Sequence, residues 1–352
     1  MGLFDKMKEV IQKKGNSHLT LHACMLGARG VGKTSVLTAI FDDSRSKDGF
    51  IGTQIMLQAK DETRKCLSKQ KECLLDAFTF RTDIAAIQPT KGEEPFYFEL
   101  GMIGNNPCVD LIVTDYPGEK LQNDPNYVSG KIKESEIVII AIDSPYAMEQ
   151  NGLYNEEKNQ VNLTTKFVTE NLDSFDDKLV MLVPLKCEKY LDLYAKETRN
   201  NRADEMTEKI IQLYQGIIKP LEKKGNVAIM VAPILTVGGV IFDRFDLNER
   251  LHIAKYKFYD GVTADGSKAQ YSPKFCAQPI FHLLSFVAQK YKRHRNNAGL
   301  FGSMFKTISD FFNDNEKFLL EMVKIDKLRI KEGNGYKIIS GEKENLFYTK
   351  ND

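Results

Sequence analysis

The octet Gly27-Ala28-Arg29-Gly30-Val31-Gly32-Lys33-Thr34 constrains this chain more than any other feature. It fits the pattern G-x-x-x-x-G-K-T. It stands between an alternating, then apolar run, His18 to Leu26 (HLTLHACML), and a run of helical character, Ser35 to Phe41. Strand, glycine loop, helix is the order that a parallel α/β sheet produces. Glycines in such a loop take positive φ and let the backbone approach an anion closely. The loop N–H groups and the N-terminus of the following helix then cradle phosphates. In that arrangement Lys33 reaches the β- and γ-phosphates of a nucleotide and the Thr34 hydroxyl holds Mg²⁺. A chance glycine-rich turn is the competing reading, and the flanking strand and helix weigh against it.

Further runs repeat the logic. Val109–Thr114 (VDLIVT), Ile137–Ile142 (IVIIAI), Leu179–Pro184 (LVMLVP) and Val227–Leu235 are short, apolar and rich in β-branched residues. Such runs suit strands buried on both faces of a parallel sheet. Helical stretches lie between them, including Glu156–Leu172 and Ala203–Lys223, and Phe96–Leu100 (FYFEL) reads as one more strand, the antiparallel one. The predicted fold class is therefore α/β: a three-layer P-loop NTPase fold with a mostly parallel central sheet. Residues 42–89 exceed the minimal α/β unit and read as an insertion carrying a helix over Ala59–Phe78. A hairpin is expected around Asp260-Gly261 or Asp265-Gly266, and a closing helix over Pro279–Arg295, opened by its proline. Residues 1–16 form an amphipathic N-terminal segment, 17–297 the α/β domain, and 298–352 an amphipathic helix and tail. The last twenty residues read as a short hairpin or a loose tail. The apolar stripe Leu300 to Phe312 carries no net positive charge, so docking on protein is favoured over membrane contact.

Composition narrows the classes that remain. Lys plus Arg number 49 against 48 Asp plus Glu, which argues against a protein whose main partner is nucleic acid. The six cysteines show no CxxC pair and read as reduced thiols of a cytoplasmic protein, neither a disulfide framework nor a zinc site. The longest uncharged stretch, Val227–Phe242, has 16 residues, short of the roughly 20 a spanning helix needs.

A second motif refines the first. Asp115 ends the run VDLIVTD, the place for a carboxylate behind a bound Mg²⁺, and the chain continues Tyr116-Pro117-Gly118 as D-x-x-G. Glycine there lets a backbone N–H contact the γ-phosphate, so that loss of this phosphate frees the segment. With GARGVGKT at 27–34 and DYPGE at 115–119, the chain over roughly 18–295 resembles the translation-factor and Ras-like (TRAFAC) class of GTPases. The DYPGE form and the long insertion also resemble GTPases of bacterial conflict or defence gene clusters.

The resemblance implies GTP and Mg²⁺ as ligands, with Gly27 to Ser35 and Gly118 around the phosphates. Thr90, after Pro89, matches the switch threonine that closes over Mg²⁺, with Thr53, Thr63, Thr79 and Thr82 as competitors, beside Thr34 and Asp115 as metal-site residues. Lys186 and Glu188 in Leu185-Lys186-Cys187-Glu188 match the base-recognition lysine and acid, and Thr236-Val237 the last base-contacting loop. Both flanking positions of LKCE depart from the class pattern, so GTP and ATP both stay open. Glu119 stands where Ras-like members place the water-orienting glutamine. Lys33, Thr90 and Glu119 thus form the implied catalytic set, and turnover is expected to be slow without a protein activator. Arg29 and Arg81 are the arginines placed to add charge. The implied activity is a GTP-hydrolysing switch read by a protein effector. The alternatives are a non-hydrolysing nucleotide-binding scaffold, a P-loop ATPase and a small-molecule kinase.

Overall fold

The computed structural model describes residues 19–44, 53–80, 95–116, 119–191, 202–248, 251–258, 270–295 and 335–347. Ten strands lie among them: β1 Leu19–Leu26, β2 Ile55–Ala59, β3 Phe96–Met102, β4 Val109–Asp115, β5 Ile137–Asp143, β6 Leu179–Leu185, β7 Ala228–Val231, β8 Val240–Asn248, β9 Leu251–Phe258 and β10 Lys337–Ser340. Eight form one sheet in the order β10-β7-β6-β5-β1-β4-β3-β2. The five strands from β7 to β4 run parallel, while β3, β2 and β10 add antiparallel pairs at the two edges.

The period of two along each strand builds three layers. Ala23 and Met25 of β1, Ile137, Ile139 and Ala141 of β5, and Met181 and Val183 of β6 point into one core. Their neighbours Cys24 and Leu26, Val138 and Ile140, and Val180 and Leu182 point into the other. The first core is closed by the helices Lys33–Asp43 and Gln278–Arg295, through Val36, Leu37, Leu283 and Phe286. The second is closed by Pro125–Glu134, Val161–Glu170, Ala203–Leu213 and Gln215–Glu222. Each fully buried aliphatic or aromatic side chain contributes about 1.5–3 kcal/mol, and strands with no polar face, such as β5 and β6, require cover on both sides. The mostly parallel sheet follows from that pattern.

Four features differ from the sequence reading. The insertion contributes a strand as well as a helix: β2 pairs with β3, and the helix spans Asp61–Phe80. The helix leans on Lys33–Asp43 through Gln70, which accepts from the Thr38 hydroxyl and donates to Ser35 Oγ, and through Lys71 paired with Asp42. The stretches read as single helices at 156–172 and 203–223 are each broken. Gln160 takes a φ of 50° between Asn155–Asn159 and Val161–Glu170, and Tyr214 separates the other two helices. β8 and β9 pair antiparallel, which the sequence reading did not foresee; Asp260-Gly261 and Asp265-Gly266, the expected hairpin turn, lie outside the described residues. Finally, Lys337–Ser340 extends the central sheet on the β7 edge, where a short hairpin or a loose tail was expected. The N-terminal segment 1–16 and the stripe at 300–312 lie outside the described residues. Among the described residues no helix is long and apolar enough to cross a membrane.

Candidate nucleotide site

Parallel register brings four strand ends to one edge of the sheet. Met25 of β1 lies level with Asp115 of β4, Leu26 with Ile140 of β5, and Asp143 of β5 with Leu185 of β6. The carboxyl ends of such strands are where ligands bind in open α/β sheets.

The loop after β1 is shaped by its glycines. Gly27 has a φ of 141°, and a Cβ placed there would lie 3.0 Å from the Ala141 carbonyl oxygen of β5. Gly32, at a φ of 114°, turns the chain into the helix that begins at Lys33. The buried Lys33 side chain folds back across the loop, and its Nζ donates to the carbonyls of Gly27 (2.9 Å) and Ala28 (3.3 Å). It also stands 3.6 Å from Asp115 Oδ1. Thr34 Oγ1 donates to Asp115 Oδ2 at 3.1 Å. Burial holds the Asp115 carboxyl above its usual range, against Lys33 and Thr34, which pull it down.

Asp115 Oδ1 is buried and accepts no hydrogen bond. A buried carboxylate oxygen that accepts no hydrogen bond, next to a threonine hydroxyl, fits a hard divalent cation, which takes oxygen ligands. Among the described residues no group of three or more His, Cys, Asp or Glu could hold a metal. A cation here would therefore depend on oxygens from a ligand, as Mg²⁺ on phosphates does.

The opposite wall is built at the ends of β5 and β6. Lys186 has a left-handed φ of 54°, uncommon for a residue with a side chain. Its Nζ donates to Asp143 Oδ2 at 2.5 Å and to the Gly30 carbonyl at 3.1 Å, and stands 5.6 Å from the centroid of the Tyr256 ring. Asp143 is wholly buried. Its backbone is clamped by Asn159, which accepts from the Asp143 N–H at 2.8 Å and donates to its carbonyl at 3.1 Å. The same clamp places Lys158, whose Nζ donates to the Arg29 carbonyl at 2.9 Å.

Glu188 is buried and accepts from the Gly238 N–H at 3.3 Å, so the LKCE segment and the loop containing Thr236 and Val237 are joined. Burial pushes the Glu188 carboxyl up to about 7, against the loop amides and Lys186. The unfolded chain ionises this group near 4.5, so between those values the folded state holds a proton that the unfolded state has lost. Stability attributable to Glu188 therefore falls as pH rises from about 4.5 through 7, and is flat above. The Glu188→Gln variant should lose that slope and gain up to about 3 kcal/mol relative to wild type above pH 7. Urea unfolding at a series of pH values measures this, and an unchanged slope in the variant would refute it.

The structure thus gathers Gly27 to Ser35, Asp115, Lys186, Glu188, Thr236 and Val237 at one sheet edge. Arg29 is exposed on the loop. Glu119 is exposed at the start of the short helix Lys120–Asn123, with no side-chain cap bond. Thr90, Pro117, Gly118 and Arg81 lie outside the described residues. Sequence reasoning missed Asp143, Lys158 and Asn159. Asp143 carried a usable signal, because it ends an apolar run just as Asp115 does. Lys158 and Asn159 sit in the polar stretch NEEKNQ, which offers none.

No protein-family model matches the chain, and no curated protein sequence does. Solved structures do. The GTPase-like domain of S. cerevisiae Ski7 bound to GTP is similar at 13% identity and a TM-score of 0.37, over 66% of this chain and 45% of that one. Sup35 complexed with GDP is similar at 10% identity and a TM-score of 0.31, over 65% and 40%. Toc33 from Arabidopsis thaliana, a dimerization-deficient mutant, is similar at 11% and a TM-score of 0.29, over 76% and 84%. This chain spans less than half the length of the Sup35 and Ski7 chains it matches. The fold is a P-loop α/β fold. Its marks are the strand order, the glycine loop leaving β1 and the helix that Lys33 opens.

Proposed function

We propose that this chain is a Mg²⁺-dependent GTP-binding protein that hydrolyses GTP to GDP and phosphate, and acts as a nucleotide-controlled switch for a protein effector. One observation carries the reading: Lys33, Thr34 and Asp115 are already assembled around the glycine loop, with one buried Asp115 oxygen that accepts no hydrogen bond. Phosphoryl transfer passes through a loose transition state, so the protein's task is to position and to neutralise. Lys33 and the loop amides would meet the charge on the phosphate oxygens. Thr34 and Asp115 would hold the metal, joined by Thr90 from the switch segment; Mg²⁺ supplies further charge neutralisation when bound. Water attacks the γ-phosphorus, the bond to the bridging oxygen breaks, GDP leaves, and the proton passes to phosphate. Glu119 would orient that water, and Gly118 would sense the γ-phosphate. Lys186, Glu188, Thr236 and Val237 would contact the base.

The exposed, uncapped position of Glu119 favours a second reading, a nucleotide-binding scaffold that does not hydrolyse. Phosphate release from GTP and from ATP, with Mg²⁺ and purified protein, separates the readings. Release from GTP in preference to ATP supports the switch. Tight GTP binding without release supports the scaffold. Preference for ATP overturns the roles given to Lys186 and Glu188, and label transferred to an acceptor other than water would identify a kinase.

A further inference from the structure

Three ammonium groups cap four consecutive carbonyls of the loop. Lys33 takes Gly27 and Ala28, Lys158 takes Arg29, and Lys186 takes Gly30. Two of the three are matched by carboxylates: Lys33 faces Asp115, and Lys186 bonds Asp143. Among the described residues Lys158 forms no ion pair, and its hydrogen-bond partner is the neutral Arg29 carbonyl. A partly desolvated ammonium beside two like charges lacks a counter-anion. Burial lowers its pKa, with Lys186 adding to the shift, Asp143 opposing it and Lys33 adding a little more.

Lys158 is also held in place. The residue that follows it, Asn159, is fixed to both backbone polar groups of Asp143 and to Asn155. A Cβ on Gly30 would lie 3.3 Å from Lys158 Nζ, so the ammonium lies against the loop itself. The Arg29 carbonyl follows directly on the two that Lys33 caps, and Lys33 is the ammonium that reaches the β- and γ-phosphates. Lys158 therefore flanks the same end of a bound polyphosphate.

We propose that Lys158 is a phosphate-binding residue that leaves the Arg29 carbonyl for the terminal phosphate oxygens of a nucleoside triphosphate, and so makes the loop prefer triphosphate over diphosphate. This rests on the reading of the loop as a polyphosphate cradle. The extra charge of the terminal phosphate supplies the missing counter-anion, and a charge-assisted hydrogen bond replaces one to a neutral carbonyl.

The test measures affinity for fluorescent GTP and GDP, each with Mg²⁺, in wild type, Lys158→Met, Lys158→Arg and Lys33→Ala. Lys158→Met should weaken GTP binding about tenfold and GDP binding less than threefold, and Lys158→Arg should restore most of the loss. Equal losses for both nucleotides would overturn the terminal-phosphate assignment. Wild-type affinities in Lys158→Met, with Lys33→Ala impaired, would overturn the inference and leave the cradle standing. A wild type that binds neither nucleotide would overturn the cradle itself. A measurement without any variant guards against misfolding. Acetylation of Lys158 by a lysine-reactive ester, followed by mass spectrometry, should be slowed at least fivefold by a non-hydrolysable GTP analogue and far less by GDP. Equal rates with and without the analogue, at saturation, would contradict the proposal.

Discussion

Replacing Lys33 with alanine should lower affinity for Mg²⁺-GTP by two orders of magnitude or more while leaving the fold intact. The side chain is buried and lies across the loop on two of its carbonyls, 3.6 Å from Asp115. Each hydrogen bond from a charged donor to a phosphate oxygen is worth about 1.5–3 kcal/mol. Two such bonds lost amount to a factor above 100. The loss is compounded at Asp115, whose carboxyl Lys33 pulls toward its ionised form. Without the lysine the carboxyl shifts further toward its protonated form, a poorer ligand for the metal of Mg²⁺-GTP. Fluorescent-nucleotide titration gives the affinity, and thermal unfolding without nucleotide gives the stability. A variant that binds within fivefold of wild type would remove Lys33 from the cradle.

The second large effect is on folding. Asp143 has no exposed surface, and its carboxylate is held by Lys186 at 2.5 Å. Its other oxygen is buried without a hydrogen-bond partner. Removing one member of a buried pair leaves an uncompensated charge, at a cost of about 3–5 kcal/mol. Lys186→Met should therefore destabilise the protein by about that amount. Asp143→Asn combined with Lys186→Met should recover more than half of it, because the stranded charge is gone. Urea denaturation of the wild type, the two single variants and the double variant closes the cycle. Additive losses would mean that the contact between the two groups has no energetic weight. The left-handed backbone at Lys186 and its bond to Gly30 place this pair beside the phosphate loop, so the same variant should also weaken nucleotide binding.

Legibility in the sequence followed burial. β5 and β6 were readable because both faces are covered, which leaves an unbroken apolar and β-branched run. β2 and β10 were not. Each is short, lies at a sheet edge and shows mixed burial, so neither periodicity nor hydropathy separates it from a loop. The breaks at Gln160 and Tyr214 were hidden because backbone conformation at these residues answers to tertiary packing, while apolar spacing continues across them. In the site, the loop and Asp115 were visible because their chemistry is local: glycines at fixed offsets, and an acid closing an apolar strand. Lys158 reaches the loop across 129 residues and Lys186 reaches Asp143 across 43, and no spacing rule spans such distances. Glu188 was anticipated as a base contact, whereas its tie to the Gly238 amide needed the fold.

The most direct test of a phosphate cradle at residues 27–34 is a crystal structure of the protein grown with Mg²⁺ and a non-hydrolysable GTP analogue. The account predicts the phosphate chain inside the loop, Lys33 Nζ on its β- and γ-oxygens, and the metal beside Thr34 and Asp115. Analogue bound elsewhere, with Lys33 still resting on the carbonyls of Gly27 and Ala28 and the loop vacant, would contradict it.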